Sequence, residues 1–203
     1  MTTTFTSQPT RPTDPKHWWR TVCWVDDRLA VSGDLPANRD RALAQLRYWE
    51  SEGITDVFDV RIEGNDSEFI RANSSITPHW VGIDDDGTRR PDSWFEQLTA
   101  RAGEVLADPN RRLLAHCHLG ANRGPSALFT IMISQGWEPV DALRAIRTAR
   151  PIAGIIYAPD AVAWWCRNSG MTATEAAQQV ADVKAWFSRN RLDLGWVIAR
   201  LRD

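Results

Sequence analysis

Apolar residues along this chain fall into short runs set between polar stretches, and two spacings alternate. Arg28–Ser32, closed by Gly33, then Ile54–Val60, Trp80–Ile83 and Arg112–His116 are compact apolar segments that read as buried strands. Between them the spacing is helical. Over Asn38–Glu52, Leu43, Leu46 and Trp49 share a face before Gly53 stops the helix. Ser93 with Glu96 fits a capping box for a helix that buries Phe95, Leu98, Ala102, Val105 and Leu106. Past the last strand, Pro125 suits a first helical position and Gly136 a stop, and Pro139–Thr148 and Pro159–Arg167 repeat the proline start. Thr172 with Glu175 forms another capping box, opening a helix with Ala176, Val180, Val183 and Phe187 at core spacing; Leu192–Leu201 is a last amphipathic segment. This alternation predicts an α/β fold: a central, mostly parallel twisted sheet flanked by helices, with extra C-terminal helices and sites at the carboxyl ends of strands.

Length and composition set the frame for that fold. A chain of 203 residues buries one full core, so one domain with appendages is expected. Residues 1–17, rich in Thr and Pro at their start, predict a flexible tail; 18–169 form the domain that carries the chemistry, and 170–203 a helical extension packed on it. A formal net charge of −2 argues against a general nucleic-acid or membrane-surface binder and leaves room only for a local basic pocket. Cys23, Cys117 and Cys166 are far apart and odd in number, which fits a reduced intracellular protein. No apolar run approaches the roughly 18 residues of a bilayer span, and the N-terminus lacks the apolar core of a signal peptide, so a soluble, cytoplasmic protein is expected.

The chemistry concentrates in His116-Cys117-His118-Leu119-Gly120-Ala121-Asn122-Arg123-Gly124-Pro125-Ser126, directly after the last strand. A strand that ends in a glycine-containing turn opening a helix aims backbone N–H groups, and the positive end of the helix dipole, at one point. A phosphate fits that point, and the same field favours a thiolate nucleophile at Cys117. Arg123 adds a planar fork of donors matched to phosphate oxygens. The His116-Cys117-His118 alternation is a weak hint of metal, but nothing else supplies spaced zinc ligands, so neither metal nor cofactor is expected.

These residues resemble the signature of the cysteine-dependent protein tyrosine phosphatases, His-Cys-x5-Arg with glycine three residues after the cysteine, and within them the small, atypical dual-specificity branch. The resemblance runs from about Val22 to Trp165 and takes in Gly33, the Gly53-Ile54-Thr55 join, and Arg144, Arg147 and Arg150. It implies that Cys117 attacks phosphorus, that Arg123 and the N–H groups of His118, Leu119, Gly120, Ala121 and Asn122 hold the phosphoryl oxygens, and that an aspartate about thirty residues earlier is the general acid. Asp85, 32 residues before Cys117 and ten before Phe95, is the choice for that acid, with Asp84 and Asp86 as rivals. It further implies that His116 bonds to backbone near the nucleophile. The family usually has Ser or Thr after the arginine, where this chain has Gly124, so breakdown of the phosphocysteine is expected to be slow unless Ser126 or water replaces the hydroxyl.

The implied function is phosphomonoester hydrolysis, foremost on phosphotyrosine or phosphoserine and phosphothreonine in proteins. Asn122 before Arg123 also occurs in RNA 5′-triphosphatases of the superfamily, but nucleic acid is an unfavoured partner for so acidic a chain. Phosphoinositide and inositol-phosphate enzymes place lysines in this loop, and none stands between Cys117 and Arg123. A phosphate-binding scaffold with slow turnover is the reading from another class. Elsewhere, His79 reads as structural, Asp59 and Arg61 as holding the sheet end together, and Arg89 and Arg90 as solvated residues beside the acid loop.

Overall fold

The computed structural model describes residues 14–202, so the expected tail before Asp14 lies outside the described residues. A 3₁₀ turn, Pro15–Trp18, opens them, and Pro15 is already buried, three residues ahead of the expected start of order. In chain order the elements are β1 (Cys23–Trp24), β2 (Leu29–Ser32), α1 (Arg39–Ser51), β3 (Asp56–Arg61), α2 (Ser67–Asn73), β4 (Thr77–Ile83), α3 (Asp92–Leu106), β5 (Leu113–His116), α4 (Arg123–Ser134), α5 (Pro139–Ala149), α6 (Ala158–Asn168), α7 (Ala173–Arg189) and α8 (Leu194–Arg202). The sheet order is β1-β2-β5-β3-β4, with β1 antiparallel at one edge and the other four strands parallel. This is the mostly parallel α/β sheet flanked by helices that the alternation of periods predicts.

Successive side chains on a strand point to opposite faces, and both faces are covered here. From the three inner strands, Leu29, Val31, Phe58, Val60, Leu113 and Ala115 enter the larger core, whereas Ala30, Val57 and Leu114 enter the smaller one. The larger core surrounds α4, buried from Arg123 to Ile133, with α3, α5 and α6 around it. The smaller core is closed by Ala42, Leu46 and Trp49 of α1 and Ile70 of α2. Further along, α7 packs on α5 and α6, and α8 meets the 3₁₀ turn. Because β2, β3 and β5 run the same way, their carboxyl ends place Gly33, Ile62 and Cys117 on one rim of the sheet.

Several local expectations are corrected. No Ser93–Glu96 capping box forms: α3 begins at Asp92 behind Pro91, whose extended backbone already ends the loop, and Ser93 sits inside the first turn. Pro125 is the third residue of α4, still within the turn whose N–H groups need no helical partner. On α1 the buried stripe is Ala42, Leu46 and Trp49, and Leu43 is half-buried. Arg90 is not solvated. It is buried, donates to the Asp84 carbonyl at 2.7 Å and to Asp86, and lies 4.5 Å from the Tyr157 ring centroid. By contrast, Thr172 and Glu175 cap α7 reciprocally, and His79 stacks on Phe58 and bonds Asp56 at 2.7 Å, a structural role. Asp59 pairs with Arg61 at 2.7 Å at the end of β3.

Candidate active site

Between β5 and α4, every carbonyl from His118 to Asn122 is tied to the surrounding scaffold. The His118 carbonyl accepts from the Asp34 N–H at 3.1 Å and from Trp19 Nε1 at 3.1 Å. Leu119 and Gly120 accept from Arg150 at 3.2 and 2.6 Å, Ala121 from the Gly154 N–H at 2.6 Å, and Asn122 from the Ser126 N–H at 2.8 Å. In a trans peptide the following N–H points opposite to the carbonyl, so five outward carbonyls leave the N–H groups of residues 119–123 on the inner side. None of those N–H groups on residues 119–122 donates to another described residue. The loop is therefore a cradle of donors around Cys117, at the positive end of α4, which is the arrangement that binds an oxyanion.

Arg150 is what fixes the cradle. It is fully buried, meets no carboxylate, and spreads its donors over the Gly120, Leu119, Trp19 and Thr21 carbonyls and the Cys23 sulfur. Burial pushes its pKa down, and the nearby Cys23 and Cys117 sulfurs offset that only in part. Gly120, at φ +62°, has no room for a side chain: a Cβ there falls 2.5 Å from the Ser32 carbonyl and closer still to Arg150. Ile155 is also in the left-handed region, at φ 56°, which is strained for a β-branched residue. Its flanking N–H groups are the ones used, that of Gly154 on Ala121 and that of Ile156 on Asn122 Oδ1 at 2.9 Å.

The structure brings Asp85, Cys117 and Arg123 to one small cavity of about 230 Å³, with Glu63, Asn122 and Ile198 also on its wall. Asp85 accepts from Asn122 Nδ2 at 2.6 Å and from the Tyr157 hydroxyl at 2.9 Å, and its other oxygen lies 3.4 Å from Arg123 Nε. Tyr157 in turn accepts from the Gly87 N–H at 3.1 Å, so one phenol holds both Asp85 and Gly87 of the acid loop. Asp86 is spent on Thr88 and Arg90, and Asp84 on the Asp85 N–H, which separates Asp85 from its rivals. Asn122 thus joins the acid loop to the cradle through its side chain.

Arg123 is met by Glu63, a residue the sequence reading passed over. Its two Nη groups donate to the two Glu63 oxygens, each at 2.5 Å, and Nη1 also to the Ile83 carbonyl at 3.0 Å. Burial works against the charge of Arg123, but the Glu63 hydrogen bonds, with Cys117 and Asp85 nearby, outweigh it and raise the guanidinium pKa. The same bonds hold the Glu63 carboxyl below its usual range. Arg123 Nε is buried without a hydrogen-bond partner, with Asp85 Oδ2 3.4 Å away, so it is the donor left for a ligand. Glu63 was findable, since it stands two residues beyond the carboxyl end of β3, where α/β folds build sites. Tyr157 and Ile198 carry no such signal; α8 is brought to the pocket by tertiary packing alone.

Two supporting roles are corrected. Among the described residues, His116 has no hydrogen-bond partner for either ring nitrogen. It is fully buried against Trp49, 3.9 Å from Asp59, and desolvation pushes its pKa down, so it packs as a neutral imidazole. Ser126 does not replace the hydroxyl missing at Gly124, because its buried Oγ has no partner among the described residues. His118 is half-exposed and bonds Asp34 through Nδ1 at 2.5 Å, so its side chain is turned to Asp34. Asp59, Asp66 and His116 gather closely, but Arg61 donates to both carboxylates and is their cation.

No protein-family model matches the chain, and no curated protein sequence does. Solved structures do resemble it. PTPMT1 matches with a TM-score of 0.59 at 15% identity, over 78% of this chain and 99% of that one. Human DUSP28 matches with 0.59 at 14%, over 73% and 95%, and a mouse dual-specificity phosphatase complexed with zinc tungstate with 0.55 at 17%, over 87% and 98%. At these identities the likeness is one of architecture: this chain shares its fold with those solved proteins.

Proposed function

We propose that this protein hydrolyses phosphate monoesters through a phosphocysteine, foremost as a protein tyrosine or dual-specificity phosphatase. The observation that carries the reading is the convergence of Cys117, Arg123 and Asp85 on one cavity lined by unused N–H groups. In the first step Cys117 Sγ forms a bond to phosphorus, the bond from phosphorus to the leaving oxygen breaks, and protonated Asp85 gives its proton to that oxygen. The cradle N–H groups and Arg123 hold the three remaining oxygens, where charge spreads in the transition state. In the second step water attacks phosphorus and passes its proton to the Asp85 carboxylate. The sulfur–phosphorus bond then breaks, and phosphate leaves with the thiolate restored.

The RNA 5′-triphosphatase reading loses its motive, since the Asn122 side chain is committed to Asp85 and Ile156. A phosphoinositide substrate keeps a specific one, because a fold neighbour, PTPMT1, was solved in complex with PI(5)P. Parallel assays on an aryl phosphate, phosphotyrosine and phosphothreonine peptides, and a phosphoinositide test these readings. The expected result is turnover on the aryl phosphate and phosphopeptides, abolished by Cys117→Ser and lowered about a hundredfold in kcat by Asp85→Asn. Turnover that survives Cys117→Ser overturns the reading.

A further inference from the structure

Among the described residues, two arginines have a buried Nε–H with no partner, Arg123 and Arg147. The first is the donor at the catalytic cavity. The second opens into a groove between α5 and α7 that the proposed reaction does not use. A cavity of about 460 Å³ there is lined by Arg144, Arg147, Trp186, Arg189 and Asn190. A second, of about 270 Å³, shares Arg147 and Asn190 with it and adds Arg191, Gly154, Ile156 and Leu194.

Most of the charge in this groove is uncompensated. Arg147, Arg189 and Arg191 form no ion pair with any described residue, and Arg144 pairs only with the exposed Asp141, at 3.0 Å on its own helix. The buried arginines Arg61 and Arg150 are engaged, Arg61 by Asp34, Asp59 and Asp66, and Arg150 by five acceptors. Arg147 has the Asn190 carbonyl at 3.5 Å and the face of Trp186 at 5.4 Å, and burial lowers its pKa with no anion to oppose it. Arg144, Arg189 and Arg191 are exposed and solvated, but the buried Nε–H of Arg147 beside them lacks the acceptor that an anion would supply. Planar guanidinium forks, one resting on an indole face, suit the oxygens of a phosphate.

The groove also adjoins the catalytic cavity. Its Gly154 and Ile156 are bonded to Ala121 and Asn122 of the cradle. Leu194 of α8 lines the groove and Ile198 lines the catalytic cavity, and four residues along a helix span about 6 Å. We propose that the α5–α7 groove is a second phosphate-binding site, which takes another phosphoryl group of a peptide whose phosphorylated side chain lies at Cys117. The binding part stands on the groove alone; the peptide part rests on the proposed function.

Calorimetric titration of the full chain carrying Cys117→Ser with inorganic phosphate tests the binding part. Two sites are expected, one lost with Arg123→Met and the other with Arg147→Gln plus Arg189→Gln; a single site untouched by the double substitution overturns it. Arg189→Gln alone, at an exposed position, weakens the second site about tenfold without altering the melting temperature, which separates binding from folding. On the unsubstituted protein, a peptide with phosphotyrosine and phosphoserine should show a KM about tenfold below its singly phosphorylated form at equal kcat, and Arg189→Gln should erase the gain. Two phosphate sites with no such KM difference make the groove a site for free phosphate and overturn the peptide part. Two phosphate sites in a protein that hydrolyses no monoester overturn the proposed function and leave the groove standing.

Discussion

Glu63 and Gly124 decide how well the cradle works at the scale of single residues. Glu63 holds the Arg123 fork with two charged hydrogen bonds, yet it also puts a carboxylate at the mouth of a site for dianions. Orientation should outweigh repulsion, because Arg123 is buried and its fork must be set before phosphate arrives. Glu63→Ala is therefore expected to lower kcat/KM on an aryl phosphate about tenfold; an unchanged or higher value means that Glu63 chiefly competes with substrate. At Gly124 a Cβ would stand 3.1 Å from both the Cys117 nitrogen and the His116 carbonyl carbon, so restoring the family's serine also crowds the loop. Comparing Gly124→Ser with Gly124→Ala isolates the hydroxyl. The serine variant should turn over about tenfold faster than the alanine variant, the worth of one good hydrogen bond, and equal rates would show that the missing hydroxyl does not limit breakdown.

At the scale of elements, the cradle is held from the segment that follows it more than from the strand that precedes it. Arg150 at the end of α5 and the strained turn at Ile155 supply the donors that turn its carbonyls outward. Arg150→Met leaves those carbonyls buried without partners, and thermal unfolding should show a loss of about 3 kcal/mol or more, together with most of the activity. Retained stability would mean that the loop holds its shape unaided. The cradle was legible as a motif because its spacing is local: a strand, a glycine turn and a helix start. Its supports were less so: Arg150 entered only through the family resemblance, and Tyr157 and Ile198 reach the site from 34 or more residues away with nothing in their own neighbourhoods to mark them. The same reason accounts for the missed β1 and α2, which are too short to show a period, and for the late start predicted for β4, whose Thr77-Pro78-His79 opening is not apolar.

At the scale of the whole molecule, the sheet and its main helices could be read from the sequence because both faces of the inner strands are buried, which keeps stretches such as Leu29-Ala30-Val31, Val57-Phe58 and Leu113-Leu114-Ala115 apolar. One buried group ties the stability of that core to pH. His116 is held neutral by desolvation, so its folded pKa lies below that of the unfolded chain, about 6.5. As pH falls below about 6.5 the unfolded state takes up a proton that the folded state refuses, and stability declines. Chemical denaturation between pH 7.5 and about 5 should show that decline, and His116→Asn should flatten it; an identical slope in the variant would contradict a neutral His116. Below that window, Glu63 and Asp86, held low by hydrogen bonds from Arg123 and from the Thr88 N–H respectively, add a separate acid loss as they protonate.

The proposed reaction runs through a phosphocysteine, and rapid-quench trapping detects that intermediate. The full chain mixed with an excess of an aryl phosphate and quenched in acid should carry one phosphoryl group on the peptide that contains Cys117. Its formation should match a stoichiometric burst of phenol, and the slow phase should follow breakdown at a loop lacking the hydroxyl after Arg123. Phenol release at the same rate from the Cys117→Ser protein, or turnover with the phosphoryl group never found on Cys117, would contradict the account.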